Sequence, residues 1–359
     1  MQTQRKSNFE LLRIFCMLMI VASHFGMYTP FQFSTTTITI NRMWMQLLQI
    51  GGHVGVNIFV LISGYFLVNI PDIKLDKVWK LWSQLSFYSL SIFIIFVITD
   101  LREFSWLSLL ESVFPVTFNK WWFASTYFIM YLFTPFINIL LHKLDKKMYQ
   151  RMLVLMFICW SVIPTLTTSS LKSNELIWFI CMYGAGGYIR LWMEELKTSW
   201  KQCFAGALCL AFLTFGTVVV FDVLGMRYAF FAQHATYFYW MQRVPMLLIA
   251  VLLFIGVKNI DIPYNKIINT VSPATFGVYL IHENRWVRNF LWQTFFYKES
   301  LQESLYLIPY SLSVIGVVYV VCTVIELLRR GLFGFLNKLL LLRIIHHPVI
   351  QTGSTEDTP

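Results

Sequence analysis

Residues 9–26 read FELLRIFCMLMIVASHFG, a run apolar enough to enter a bilayer that nevertheless carries Glu10 and Arg13 at one end and His24 near the other. Eleven helical steps of about 100° separate Arg13 from His24, which is three turns plus about 20°, so the two side chains share a helix face roughly 16 Å apart along the axis. If the hydrocarbon begins near residue 10, His24 lies about 20 Å in, just past the middle of a core about 30 Å thick. An ionisable ring there is expensive and usually faces a cavity, so Arg13 and His24 can line one tunnel, with Glu10 as the i,i+3 partner of Arg13.

The rest of the chain repeats the pattern of that first run. Of 359 residues, 57% are hydrophobic, 18% are aromatic and only 13% are charged, and the mean hydropathy is +0.62. A soluble domain carries about 25% charged residues. Apolar runs of about 18–22 residues closed by polar or basic clusters predict an all-α polytopic membrane protein. About ten transmembrane helices are expected, near 10–29, 45–69, 79–99, 121–141, 151–168, 175–193, 203–222, 238–257, 271–294 and 304–327.

An even number of spans puts both termini on one side. With the N-terminus cytoplasmic, the inner segments hold nineteen of the twenty-eight Lys and Arg residues and the outer segments the other nine. The bias predicts cytoplasmic termini in a multi-pass plasma-membrane protein. It also accounts for the net charge of +10 without nucleic acid, because the basic residues are spread over inner loops and are not gathered on one soluble face.

The first span has no convincing small-residue cleavage site and is read as an uncleaved anchor. Cys16, Cys159, Cys181, Cys203, Cys209 and Cys322 all fall within predicted spans without paired spacing, as small core residues would. One domain is expected over 1–347, in which 328–347 forms an amphipathic helix along the inner surface. His346 and His347 read as surface residues, and 348–359 as a disordered tail.

Five stretches in order carry a family resemblance: Arg13 to His24 with an acid three residues before the arginine, GVNIFVLISGYFL (55–67), KLDKVWKLW (74–82), WWFASTYFIMYLFTPFIN (121–138) and SPATFGVYLIHENRWVRNFLW (272–292). Together they resemble the membrane-bound acyltransferase 3 family, whose members move acyl groups, usually acetyl, onto sugars of cell-surface polysaccharides and related acceptors. The resemblance implies that Arg13 and His24 are required for transfer. It departs from the family pattern at Asn57, which stands where an acid is usual, and at Lys77 and Lys80, which stand where an arginine pair is usual. Lysine keeps the charge but loses the bidentate fork.

Acetyl transfer from a thioester to a hydroxyl needs a base, donors for the developing oxyanion and cations for the donor's phosphates. A neutral histidine can take the hydroxyl proton near pH 7, so His24 is the expected base. Arg13, Lys74, Lys77 and Lys80 gather at the inner ends of spans one to three and suit acetyl-CoA, an anionic cytoplasmic donor; the alternative for the lysines is ordinary inside charge.

Acceptor contacts to a saccharide or lipid-linked glycan are expected from Asn57, Ser63 and Trp122, and from the intramembrane cluster of His282, Glu283 and Arg288. Asn57 lies at about the depth of His24, and Trp121 reads as a belt residue. Glu283 and Arg288 could alternatively be a structural ion pair.

No glycine-rich phosphate loop, zinc-ligand spacing or G-x-S-x-G elbow occurs, so no metal is expected. Cys16 lies about 60° off the Arg13 face, which favours direct transfer over an acyl-enzyme. The alternative reading is a transporter or flippase for a lipid-linked sugar, but the chain lacks the repeated halves that such proteins often show.

Overall fold

Without water in the hydrocarbon, a chain this apolar must satisfy its own amides, and every regular element among the described residues is a helix. The computed structural model describes residues 7–346, with side chains through residue 336, so Arg5, Lys6, His347 and the tail at 348–359 lie outside the described residues. Fifteen α-helices follow one another: α1 Ser7–Tyr28, α2 Ile40–Leu67, α3 Leu75–Ile98, α4 Trp106–Val113, α5 Trp122–Lys143, α6 Lys146–Phe157, α7 Ile163–Leu166, α8 Glu175–Trp192, α9 Trp200–Gly225, α10 Ala229–Gln233, α11 Val244–Lys258, α12 Lys266–Val271, α13 Thr275–His282, α14 Arg285–Asn289 and α15 Leu307–His346.

Among the described residues, eight helical stretches are long and apolar enough to cross a membrane: α1, α2, α3, α5, α9, Lys146–Leu166, Ala229–Lys258 and Leu307–Leu336. Two of the ten predicted spans fall outside this set. One is α8, only 18 residues long and carrying Glu175 and Arg190. The other, 271–294, is broken into α12, a 3-10 turn at Ser272–Ala274 with Pro273 in it, α13, α14 and a π-helical turn at Phe290–Phe295. The break between α13 and α14 has a local cause: the Asn284 side chain accepts from the Trp286 amide at 3.1 Å and starts a new helix. The segment from 328 continues α15 without a break as far as His346.

Small residues set the closest helix approaches. A Cβ on Gly55 would stand 2.9 Å from the Cys16 carbonyl of α1, and one on Gly64 or Gly186 would fall inside contact with the facing backbone of α8 or α2. Helices α1, α2 and α8 therefore pack backbone against backbone at the centre. In α5, Pro135 has no N–H for the Tyr131 carbonyl, which accepts from the Thr134 hydroxyl at 2.7 Å instead.

Charges inside the bundle come paired. Arg42 of α2 reaches Asp222 of α9 at 2.6 Å, and Arg329 of α15 reaches Glu326 at 2.7 Å, whose carboxylate also accepts from Tyr88 of α3 at 2.5 Å. The six cysteines are free, and four of them are buried; Cys159 is half-buried and Cys209 exposed.

Candidate active site

Glu10, Arg13, Met17, Ile20, His24 and Met27 recur along α1 at intervals of three and four, the spacing that keeps side chains on one helix face. All six line a cavity of about 320 Å³. α2 closes it with His53, Phe59 and Ser63, α5 with Trp122 and Tyr127, and α13 and its leading turn with Ser272, Phe276 and Tyr279. The two ionisable ends of the first span thus share one chamber.

At one end of the chamber, His24 Nδ1 lies 2.9 Å from His282 Nε2 and 3.1 Å from Glu283 Oε2. His282 Nδ1 is 2.6 Å from the Val278 carbonyl, which can only accept, so that nitrogen carries the hydrogen and a neutral His282 keeps a bare Nε2. His24 must then hold its own hydrogen on Nδ1 and donate it to His282. This leaves the lone pair on His24 Nε2, and a histidine in this tautomer can accept a proton there.

Glu283 Oε2 takes no hydrogen bond and acts on His24 as a nearby negative charge. Its Oε1 accepts from Arg288 at 2.8 Å and from the Tyr28 hydroxyl at 3.3 Å, and the Arg288 guanidinium stands 4.3 Å from the Tyr28 ring.

At the other end, Glu10 Oε1 holds Arg13 at 2.8 Å while its Oε2 accepts from Ser272 at 2.5 Å, tying α1 to the turn before α13. Glu10 and Arg13 also line a second, larger cavity of about 1090 Å³ at the N-terminal end of α1. Its cations besides Arg13 are Lys77, Arg190, Lys197 and Lys258. Lys74 and Lys80 are exposed and line neither chamber, which corrects their expected place beside Arg13; Lys77 alone of the three lysines reaches it.

The expected acceptor contacts divide. Ser63 and Trp122 line the chamber, and the Ser63 hydroxyl lies 3.2 Å from that of Tyr127. Asn57 does not reach it: fully buried, it donates to the Met241 carbonyl at 2.9 Å and accepts from Trp178 Nε1 at 2.8 Å, so its amide is spent on joining α2 to α8 and the chain before α11. Asn57→Ala is expected to destabilise the fold by about 1–3 kcal/mol by leaving that indole and that carbonyl unpaired. Activity per folded molecule should persist, as thermal unfolding in detergent alongside a transfer assay would report.

His282 and Glu283 are buried beside His24 and Arg288 is held between Glu283 and Tyr28, and none of the three lines the chamber. His53 lines the chamber, with Nδ1 tied to the Tyr239 carbonyl at 2.7 Å. Tyr28, Tyr127, Tyr279 and Ser272 escape sequence reasoning because tyrosine and serine are unremarkable in an apolar helix; only their spacing onto the Arg13 to His24 face could have flagged Tyr28.

His24, His282 and Glu283 form a grouping among the described residues with atoms close enough for a metal ion. The two nitrogens are 2.9 Å apart, closer than the roughly 3.3 Å that two nitrogens on tetrahedral zinc keep, and Arg288 already neutralises the carboxylate. The set is built as a hydrogen-bonded chain.

The Acyltransferase domain family model matches residues 6–327. Searches of curated proteins and of solved structures returned no match. With a helical bundle around a chamber that holds Arg13 and His24 and a family match over most of its length, the chain belongs to the acyltransferase 3 family and is a multi-pass membrane acyltransferase.

Proposed function

We propose that the protein moves an acetyl group from acetyl-CoA to a hydroxyl of a cell-surface or lipid-linked saccharide. It would do so in the plasma membrane, crossing it about ten times with both termini in the cytoplasm. The observation that carries this reading is the single chamber running from Arg13 to the bare Nε2 of His24. The larger cavity at the Arg13 end carries five cations, Arg13, Lys77, Arg190, Lys197 and Lys258, against the carboxylates of Glu10, Glu194, Glu195 and Asp261, an excess of one positive charge toward the phosphates of the donor. The thioester then reaches past Arg13 toward His24.

There the acceptor hydroxyl gives its proton to His24 Nε2 as its oxygen bonds to the thioester carbonyl carbon. Wall hydroxyls such as that of Tyr127 offer donors to the oxyanion. When the C–S bond breaks, the imidazolium returns the proton to the departing thiolate, so the products are the ester and free coenzyme A. Glu283 stabilises the transient imidazolium and Arg288 holds Glu283 in place.

Purified protein in liposomes, given labelled acetyl-CoA and a polysaccharide, should transfer label to the glycan. A transporter would leave the label on coenzyme A. Arg13→Ala should raise the KM for acetyl-CoA about 10- to 100-fold, the worth of a charge-assisted hydrogen bond. An unchanged KM would leave Arg13 as a topological anchor only.

A further inference from the structure

Arg13, Arg42, Arg190, Arg288 and Arg329 each hold a carboxylate at 2.6–2.8 Å. Arg102, Lys120 and Arg285 do not: none of them has an ion-pair partner among the described residues. Yet these three line one cavity of about 590 Å³, formed by the chain after α3, by α4, by the turn before α5 and by the start of α14.

An indole holds two of them, Arg102 and Lys120, and the Ser112 hydroxyl also accepts from the Lys120 ammonium at 2.7 Å. The Trp286 ring lies 5.4 Å from the Arg102 guanidinium and 5.2 Å from the Lys120 ammonium, and it is backed by Phe93 and Phe96. A cation held by a π face keeps its full charge for a ligand. Burial lowers the pKa of Lys120, with Glu111 opposing, as expected of an ammonium short of counter-charge. Glu103 and Glu111 also line the cavity, so the excess is one positive charge, but neither comes within ion-pair distance of the three cations. Asn284, which lines this cavity, is the residue after Glu283, so one backbone step joins the cavity to the carboxylate beside His24, although the two cavities share no lining residue.

We infer that this cavity is a second saccharide subsite, which takes an anionic unit of the acceptor, bearing a carboxylate or a phosphodiester, next to the unit acetylated at His24. The inference rests on the acyltransfer reading above. It adds that the acceptor is an acidic glycan, selected by Arg102, Lys120 and Arg285.

The test is a matched acceptor panel for the full-length protein in liposomes: one neutral oligosaccharide, one carrying a uronate and one carrying a phosphodiester. At least one acidic acceptor should be used with a kcat/KM about 10-fold or more above the neutral one. Arg102→Gln with Lys120→Met should erase that preference, and because the preference is a ratio it does not change with the fraction of folded protein.

Binding of the same oligosaccharides to the His24→Ala protein, measured by calorimetry at two salt concentrations, gives a readout without turnover; the acidic ones should bind more tightly, and less so in high salt. Equal use and equal binding of neutral and acidic acceptors, or a preference that survives the double variant, overturns the subsite. Charge-selective binding without acetyl transfer to any acceptor would instead retain the subsite and remove the acyltransfer reading.

Discussion

Replacing His24 with alanine is expected to lower acetyl transfer by about a hundred- to ten-thousand-fold, the usual worth of a positioned general base, while the protein still inserts in the membrane. The expectation follows from the chain Val278 carbonyl, His282, His24, in which each partner fixes the next hydrogen and leaves one lone pair on Nε2 of His24, a residue that lines the chamber. The ring of His24 is half-buried against His282 and Tyr28, and its loss leaves the buried His282 Nε2 without a donor, at a stability cost of about 1–3 kcal/mol. Labelled acetyl-CoA in liposomes, normalised to folded protein, measures the loss. Transfer within a few-fold of the unaltered protein would remove His24 from the chemistry.

Glu283→Ala should cost both stability and rate. It removes the partner of Arg288 and the charge beside His24, and breaking a buried pair from one side costs about 3–5 kcal/mol because the other charge stays behind. The unfolding temperature in detergent should fall accordingly. Adding Arg288→Met should return much of the stability, since no unpaired guanidinium then remains, but not the rate, since the imidazolium still lacks its counter-charge. Recovery of rate together with stability would make Glu283 a structural residue alone.

The Arg13 to His24 face was legible from the sequence because helical periodicity is a local property: Glu10, Arg13, Met17, Ile20 and His24 fall on one stripe whatever surrounds them. The all-helical membrane architecture was legible for a related reason, since composition and run length decide it. Asn57 was misread because its partners, Trp178 and Met241, lie 121 and 184 residues away, and no local pattern distinguishes an amide that faces a chamber from one that ties helices together.

The predicted span at 271–294 averaged over Pro273 and Asn284, each of which interrupts the helix by removing or competing for a backbone hydrogen bond. Lys74 and Lys80 follow from the same limit: Lys74 precedes α3 and Lys80 lies one turn beyond Lys77, and no local pattern says how far along α3 the cavity extends.

The Glu10–Arg13 pair, shared by both cavities and pinned through Ser272, has an electrical consequence. If the proposed donor and acceptor enter from opposite faces, the passage that admits them is a short circuit in an energised membrane unless something blocks small cations. At the neck the Glu10 carboxylate, which left alone would attract hydronium and sodium, is cancelled by the Arg13 guanidinium. Losing it should make the bilayer leak protons.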